Sequence, residues 1–193
     1  MLSPTEFIWA LIGLFLTIGG TMVEASIAGP AWIWSQEGIQ VHSLHATLQI
    51  GAVLLVGCTA GRNAGALSQI AYILLGLTWL PIFTEGGGMG YLNEPSFGYL
   101  IGFIPGAWCC GWLAFKRPLS LESLAFSCIC GLAIIHLTGI AYLLLAYNVG
   151  WIQSDIPILS ALFYYTLKPL PSQLAIVCAA TLSAYGLRQI MFY

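Results

Sequence analysis

The sequence predicts an all-α integral membrane protein with six transmembrane helices and both termini in the cytoplasm. Composition is the first observation: 59% of the 193 residues are apolar and 6% are charged, whereas a soluble domain carries about 25% charged residues. The second is a succession of long uncharged runs, each close to the ~20 residues that cross the hydrocarbon core. The third is the position of Lys and Arg between these runs, which predicts their orientation.

The apolar runs are separated by charged segments or by segments rich in Gly, Pro and Trp, and they form a single membrane domain over residues 1–193. The predicted spans are 7–23, 41–60, 64–80, 97–115, 121–147 and 170–188. The segment "MLSPTEF" before the first run contains no Lys or Arg. We therefore expect this run to be kept as a span and not removed as a signal peptide.

Basic residues predict which side each connection faces. Arg62, Lys116, Arg117 and Arg188 all fall on the side of the N-terminus in a six-span chain, and only Lys168 falls on the other side. Because short cytoplasmic connections collect Lys and Arg, we expect both termini inside. The three long connections then face outward, which suggests that recognition takes place at the outer face.

Several function classes are disfavoured. The net charge of −2 provides no basic surface for nucleic acid, and the phosphate-binding motif GxxxxGK[ST] is absent. Mid-span Asp, Glu, Lys or Arg, on which coupled pumps usually depend, are also absent. Uphill transport would therefore need a partner that supplies the energy. The six cysteines lie in apolar runs without zinc-type spacing, so we expect buried small residues and no cofactor.

Polar residues near the second span are candidates for binding. His42, His45 and Gln49 are spaced i, i+3 and i+7, which predicts one shared helix face. The Gln49 amide can donate and accept, as a ligand amide or urea requires, whereas His42 alone favours a helix–helix contact. His136, in the middle of the fifth span, favours a structural hydrogen bond. The competing hypothesis is haem ligation by His45 and His136.

The stretch "PIFTEGGGMGYLNEPSFGYLIGF", residues 81–103, departs from the apolar pattern. Gly86, Gly87 and Gly88 allow positive φ angles and a close backbone approach to a ligand, and their N–H groups could form an anion-binding concavity. Tyr91 and Tyr99, with Trp79 nearby, could supply an aromatic wall. The alternative is a disordered link.

The last outer connection ends in "LKPLPSQLAIV". Ser172 is a suitable N-cap for the sixth helix, and an outward helix N-terminus beside Lys168 would attract an anion. A proline-marked helix start with one Lys at the membrane surface is an equally good interpretation.

The motifs at residues 65–76, 81–83, 86–88 and 95–103, including "GALSQIAYILLGLTWLPIF" and "GYLNEPSFGYLIGF", closely resemble the BioY family. "ATLQIGAVLLVG" is similar to its second span and "CGLAIIHLTGIAYLLL" to its fifth, where a tyrosine is common at the position of His136. The resemblance covers the chain from residue 40 onward.

The resemblance implies a six-helix, biotin-specific substrate-binding subunit of an energy-coupling-factor transporter in the bacterial plasma membrane. Such a subunit is not an enzyme; it binds biotin from outside and works with a transmembrane coupling subunit and two cytoplasmic ATPases. The expected biotin contacts are Gln49, His45, Gly86, Gly87, Gly88, Tyr91, Asn93, Tyr99, Lys168 and Gln173.

Two departures from the family pattern stand out. The family usually has P-G-D-x-x-K before the sixth helix, but here Ser172, Gln173 and Ile176 replace the Gly, Asp and Lys. A different vitamin therefore remains an alternative ligand. In the first helix, the small residues that could dock the coupling subunit are Gly13 and Thr17, in place of an AxxxA pattern.

Overall fold

The structure, a computed structural model, describes residues 3–28, 41–78, 80–151 and 157–191. The helices are α1 Pro4–Met22, α2 Gln49–Thr78, α3 Phe97–Lys116, α4 Leu121–Val149, α5 Ile158–Leu162 and α6 Leu170–Met191. A 3₁₀ helix covers Met89–Asn93, a π-helical turn covers Phe163–Leu167, and two strands, β1 Glu24–Ala28 and β2 Val41–Thr47, pair antiparallel.

Five helical segments are long and apolar enough to cross a membrane, with 158–191 counted as one segment. Many large apolar side chains on these helices point outward, among them Phe15, Leu137 and Leu182, each at least 60% exposed. Polar side chains such as Gln69 and Ser127 are fully buried. Apolar side chains outside and polar side chains inside are the reverse of the distribution in a soluble protein, as expected for helices surrounded by lipid.

Helix α1 begins with a capping box. The Ser3 hydroxyl accepts from the Glu6 N–H at 3.2 Å, the Glu6 carboxylate accepts from the Ser3 N–H at 2.8 Å, and Pro4 occupies the first turn. These contacts satisfy N–H groups that no helical carbonyl reaches.

The small residues of α1 face inward. A Cβ on Gly13 would stand 2.8–2.9 Å from Val56 and Ser68, and the Thr17 hydroxyl accepts from Gln69 at 3.0 Å. Gly13 and Thr17 therefore pack α1 on α2 within this chain, and they are not an open docking face for a coupling subunit.

The prediction of a helix over 41–60 is wrong in its first third, because residues 41–47 form β2 and the helix begins at Gln49. His42 and His45 therefore do not share a helix face with Gln49. In the run "VHSLHAT" only the last four residues alternate apolar and polar side chains, and the backbone pairs with β1, as in Ser26 opposite Ser43. Period-two alternation is the pattern of a strand.

Helix α2 folds back on itself at Gly61, where φ is 83° and ψ is 178°. The two arms, residues 49–60 and 62–78, pack so closely that a Cβ on Gly65 would lie 3.2 Å from the Gly57 Cα. The Gln49 amide consequently reaches the Tyr72 hydroxyl at 2.9 Å, although 23 residues separate them. The predicted break between the second and third runs thus corresponds to this reversal.

We expect Gly61→Ala to destabilise the protein by about 1–3 kcal/mol, because this backbone conformation is essentially restricted to glycine. The Phe115 ring is 3.7 Å from the added Cβ, so the effect would come from backbone strain and not from a clash. Thermal unfolding in detergent measures it. Gly186→Ala is the matched control, since its Cβ would meet nothing within 4 Å; equal stability of the two variants would contradict the prediction.

Candidate ligand-binding site

A buried polar pair joins α4 to α6 near the end of the bundle that carries the strands and the glycine loop. His136 Nε2 is 2.6 Å from Gln173 Oε1, and the two residues are only 7% and 9% exposed. The amide oxygen can only accept, so His136 donates through Nε2 and its Nδ1 keeps a lone pair. A histidine and a glutamine 37 positions apart in sequence therefore act as one unit.

Each member of this pair has an unused polar atom. The Nδ1 of His136 is buried and has no hydrogen-bond partner among the described residues. The Gln173 amide nitrogen likewise bonds to no side chain in the described part of the chain. The pair thus offers one acceptor and one donor, which is the complement of a group that carries both N–H and C=O. Buried polar groups without partners are rare, so the unpartnered Nδ1 of His136 requires an explanation.

An aromatic wall stands beside the pair. The ring of Tyr99 meets His136 edge-on with centroids 5.7 Å apart, and Tyr165 stacks on Tyr99 at 6.3 Å. The Tyr99 hydroxyl is 2.7 Å from the Thr166 hydroxyl, which ties α3 to the π-helical turn. Gly139 makes this possible, because a Cβ there would lie 2.4 Å from the Tyr99 ring. Sequence reasoning identified Tyr99 but missed Tyr165 and Thr166, which share the aromatic run "FYYTL".

Gln49 lies at the start of α2 and is 6% exposed. Its amide nitrogen donates to Tyr72, whose hydroxyl in turn donates to the Ile82 carbonyl at 2.8 Å. The next turn of α2 packs on α6: a Cβ on Gly51 would lie 2.7 Å from Ile176, one turn after Gln173. Gln49 therefore connects the α2 hairpin to the loop after it.

Strand β2 lies against the same part of α6. The Ser172 hydroxyl donates to the Leu44 carbonyl at 2.6 Å. Because Ser172 directly precedes Gln173 in the sequence, this bond holds β2 at the start of α6. His42 is exposed on β2, and the side chain of His45 lies outside the described part of the chain, as does Trp79. Strand β2 thus lies beside the start of α6, next to the residue that precedes Gln173.

The glycine loop is anchored to the end of α2. The Gly88 N–H donates to the Gly76 carbonyl at 2.7 Å, and the Gly86 N–H donates to Phe83 at 3.1 Å. The positive φ angles of Gly86 (116°) and Gly88 (89°) are as predicted, but an anion-binding row of consecutive free N–H groups is not present. Gly87 packs tightly, since a Cβ there would lie 2.7 Å from the Leu80 carbonyl.

Tyr91 and Asn93 lie on the 3₁₀ helix with opposite exposures. Tyr91 is 4% exposed and packs on Phe83 with ring centroids 4.7 Å apart, and its hydroxyl accepts from Ser96 at 3.1 Å. Burial raises the pKa of the Tyr91 phenol above its ordinary value. Asn93 is exposed. Tyr91 therefore supports the loop from below, while Asn93 faces outward.

The predicted helix N-terminus at Ser172 is wrong. Helical backbone begins at Ile158 and continues through the π-helical turn, and the Gln173 N–H donates to the Pro169 carbonyl at 2.9 Å. Pro169 and Pro171 flank Leu170, where α6 begins, but helical backbone precedes them, so they do not mark a free helix N-terminus. Lys168 is exposed, and its ammonium lies 4.5 Å from the centroid of the Tyr164 ring.

A cavity of about 380 Å³ lies at the opposite end of the bundle, between the start of α1, the α2 reversal and the end of α3. Arg62 and Lys116 line it, each cation close to a tryptophan ring, at 5.7 and 4.5 Å from the centroid. It is remote from the His136–Gln173 pair. In the described part of the chain, the one group of three potential metal ligands is Cys58, Cys110 and Cys128, which is also separate from this pair.

Comparison with known proteins adds the decisive observation: the sequence profile described as the BioY family matches residues 8–192. The chain belongs to the BioY family. This confirms the resemblance seen in the motifs, and, together with the five membrane-crossing segments, it makes the chain a multi-pass membrane protein.

Individual BioY proteins match parts of the chain. A probable biotin transporter BioY of Lysinibacillus sphaericus is 42% identical over 109 residues, which is 55% of each chain. The biotin transporter BioY of Thermotoga maritima is 38% identical over 117 residues, 60% of this chain and 66% of that protein. The first match thus spans about half the length of the Lysinibacillus relative.

A solved structure shares the fold. The S-component for biotin from an ECF-type ABC transporter superposes with a TM-score of 0.68 at 19% identity, covering 98% of this chain and 95% of that one. At this identity the likeness concerns the arrangement of helices and not the residues of the site.

Proposed function

We propose that this protein is the biotin-binding membrane subunit of a vitamin uptake transporter. The observation that carries the proposal is the His136–Gln173 pair, whose unused acceptor and donor complement the N–H and C=O of a cyclic urea. Tyr99 and Tyr165 provide apolar faces for the rest of a small ring system. Gln49, Tyr91, Asn93 and the glycine loop 86–88 border the same end of the bundle.

Neutral recognition of the ureido group suits a site inside the membrane. The family's usual Asp and Lys before the last helix are replaced by Gln173 and Ile176, both buried here. Removing both members of an ion pair avoids two desolvation penalties, whereas removing one would leave a buried charge unpaired. The names of the BioY relatives and of the similar structure support biotin as the ligand.

Equilibrium binding of labelled biotin to the purified protein in detergent, with competition by other vitamins, tests the proposal. We expect one biotin per chain and no displacement by unrelated vitamins. If a different vitamin displaced labelled biotin at a lower concentration than unlabelled biotin does, that vitamin would be the ligand of this site. A haem protein, the alternative based on His45 and His136, would show a Soret band in the same preparation.

We further propose six membrane spans, with each arm of the α2 hairpin crossing once, and both termini in the cytoplasm of a bacterial cell. Glu6, Arg62 and Lys116 line one cavity, and Arg188 donates to the Ala114 carbonyl at 2.9 Å, so these charged residues gather at one end of the bundle. This clustering supports the orientation. An epitope after Pro118 should be accessible only from inside, and one after Gly150 only from outside; the reverse pattern would contradict the topology.

A binding subunit of this kind has no energy source of its own, so we propose that it works with a transmembrane coupling subunit and two ATPase subunits and is not itself an enzyme. Co-purification of tagged protein with those subunits, and loss of biotin uptake when the ATPase genes are deleted, are the expected results. Uptake that persists without any ATPase would contradict this assembly.

Lys168→Ala is expected to weaken biotin binding, because Lys168 is the one basic side chain predicted at the outer face and could attract the biotin carboxylate. Its exposure limits the effect to roughly 0.2–1 kcal/mol, as for surface ion pairs. Biotin and its methyl ester are compared at low salt in detergent. The variant should lose affinity for the acid and not for the ester; unchanged affinity for both would remove Lys168 from the site.

A further inference from the structure

Three cysteines from three helices meet in the part of the bundle near the α2 reversal. The Sγ of Cys58 on α2 is 3.4 Å from that of Cys110 on α3 and 3.5 Å from that of Cys128 on α4. All three sulfurs lie within 4.8 Å of one another, and all three residues are fully buried. We propose that this cluster binds one Cu(I) ion, a function separate from biotin binding.

The distances suit a three-coordinate soft ion. Sulfur ligands about 2.3 Å from a central metal stand roughly 4.0 Å apart in a trigonal arrangement, so two of the three Sγ–Sγ distances need to lengthen by only about half an ångström. Thiolate sulfur favours Cu(I), zinc and iron–sulfur clusters, and Cu(I) is the soft monovalent ion among them. Zinc needs a fourth good ligand, and among the described residues neither His nor carboxylate is part of the cluster.

A buried hydroxyl lies beside the same cluster. Thr181 on α6 is 3% exposed, and its side chain interacts with the Cys128 thiol. A buried hydroxyl is costly without a polar neighbour, so Thr181 adds a polar group from a fourth helix next to the three sulfurs.

Arg188 offsets part of the charge of the loaded site. It is 8% exposed, lies within electrostatic reach of Cys58, and has its guanidinium 4.2 Å from the centroid of the Phe115 ring. Because thiolate and not thiol is the metal ligand, binding of Cu(I) by all three cysteines releases three thiol protons to solvent. Three thiolates, one Cu(I) and one guanidinium then sum to −1, compared with −2 without Arg188. No electron is transferred in this step.

The cavity at the α2 reversal comes near the cluster. Its wall includes Ala60, two residues after Cys58, and Gly111, directly after Cys110, whereas the three cysteines themselves are fully buried. A metal site requires an entry path as well as suitable ligands, and the ion would enter from this side. In the proposed orientation this cavity opens toward the cytoplasm, where thiols remain reduced.

The test is anaerobic titration of the purified full-length protein with Cu(I) in competition with the chromophoric chelator bicinchoninate. We expect one Cu(I) per chain in the wild type and loss of this binding in Cys58→Ser, Cys110→Ser and Cys128→Ser. The matched controls are Cys109→Ser and Cys130→Ser, on the same helices, and Cys178→Ser on α6; they should bind as the wild type does. A wild-type melting temperature in detergent shows that each variant is folded.

X-ray absorption spectroscopy of the copper-loaded wild-type protein identifies the copper ligands without any substitution. Three sulfur neighbours at about 2.3 Å would support the site. Failure to bind Cu(I), a copper environment without sulfur, or equal loss of binding in the control and cluster variants would overturn the proposal. None of these results bears on biotin binding, so the two proposals can fail separately.

Discussion

Gln173→Ala should reduce biotin affinity by about 1–3 kcal/mol, or roughly fivefold to 150-fold, because it removes the donor proposed for the ureido carbonyl and leaves buried partners unpaired. His136 Nε2 would lose its acceptor at 2.6 Å. Equilibrium binding of labelled biotin in detergent measures the effect. Gln189→Ala is the matched control, since Gln189 is an exposed glutamine on the same helix.

A double-mutant cycle tests whether His136 and Gln173 contribute to biotin binding as one unit or independently. If His136 and Gln173 act together, the losses from His136→Ala and Gln173→Ala should not add in the double variant. Additive losses, or an unchanged affinity in Gln173→Ala, would show that the pair does not hold the ligand as proposed.

The ligand can be varied instead of the protein. 2-Iminobiotin, in which an imine replaces the ureido carbonyl, should bind more weakly than biotin to the wild type, since the Gln173 amide loses its acceptor. In Gln173→Ala the two ligands should differ less. If both proteins discriminated equally between biotin and 2-iminobiotin, the ureido group would not contact Gln173. This result would not contradict the proposal that biotin is the ligand.

Gly76→Ala is expected to destabilise the protein by about 1–3 kcal/mol or more, the range for overpacking a tight contact. Its Cβ would lie 2.2 Å from Cζ of Phe83, and that ring is held between Tyr72, at 5.4 Å, and Tyr91, at 4.7 Å. A ring enclosed on both sides cannot swing aside without displacing its neighbours.

The same substitution should also lower biotin affinity, because the Gly76 carbonyl holds the Gly88 N–H at 2.7 Å and so positions the glycine loop. Thermal unfolding in detergent and biotin binding are measured together. Gly19→Ala is the control in a helix, since its Cβ would meet nothing within 4 Å. A wild-type melting temperature for Gly76→Ala would mean that Phe83 moves freely and that the loop is not held by this contact.

Much of the organisation followed from local pattern. The reversal at Gly61, the start of α3 after residue 96 and the length of α4 agree with the predicted boundaries to within a few residues. The errors share one cause: uncharged residues were assigned to helix or loop by polarity alone. Residues 41–47 became a strand because β1 was available to pair with them, and residues 158–167 became helical although "LKPLP" suggested a start.

The sequence predicted individual residues of the candidate site but not the contacts between them. Gln173 was expected to replace a charged ligand contact, yet His136, the partner it bonds, was interpreted as structural. Tyr165 and Thr166 were missed because the segment that carries them was assigned to a loop. The glycines were expected to leave their N–H groups free, but the Gly88 N–H holds the loop on α2 and the Gly86 N–H closes a turn within the loop.

By itself, the sequence determined the membrane environment, the succession of apolar segments and the BioY family, because composition, run length and contiguous motifs are properties of neighbouring residues. Only the tertiary structure decided that His136 meets Gln173, that Gly13 and Thr17 face inward, and that three of the six cysteines converge. Those outcomes depend on how each helix is rotated and crossed against the others. Since nearly every side of these helices is apolar, spacing along the chain carries little information about which side is buried.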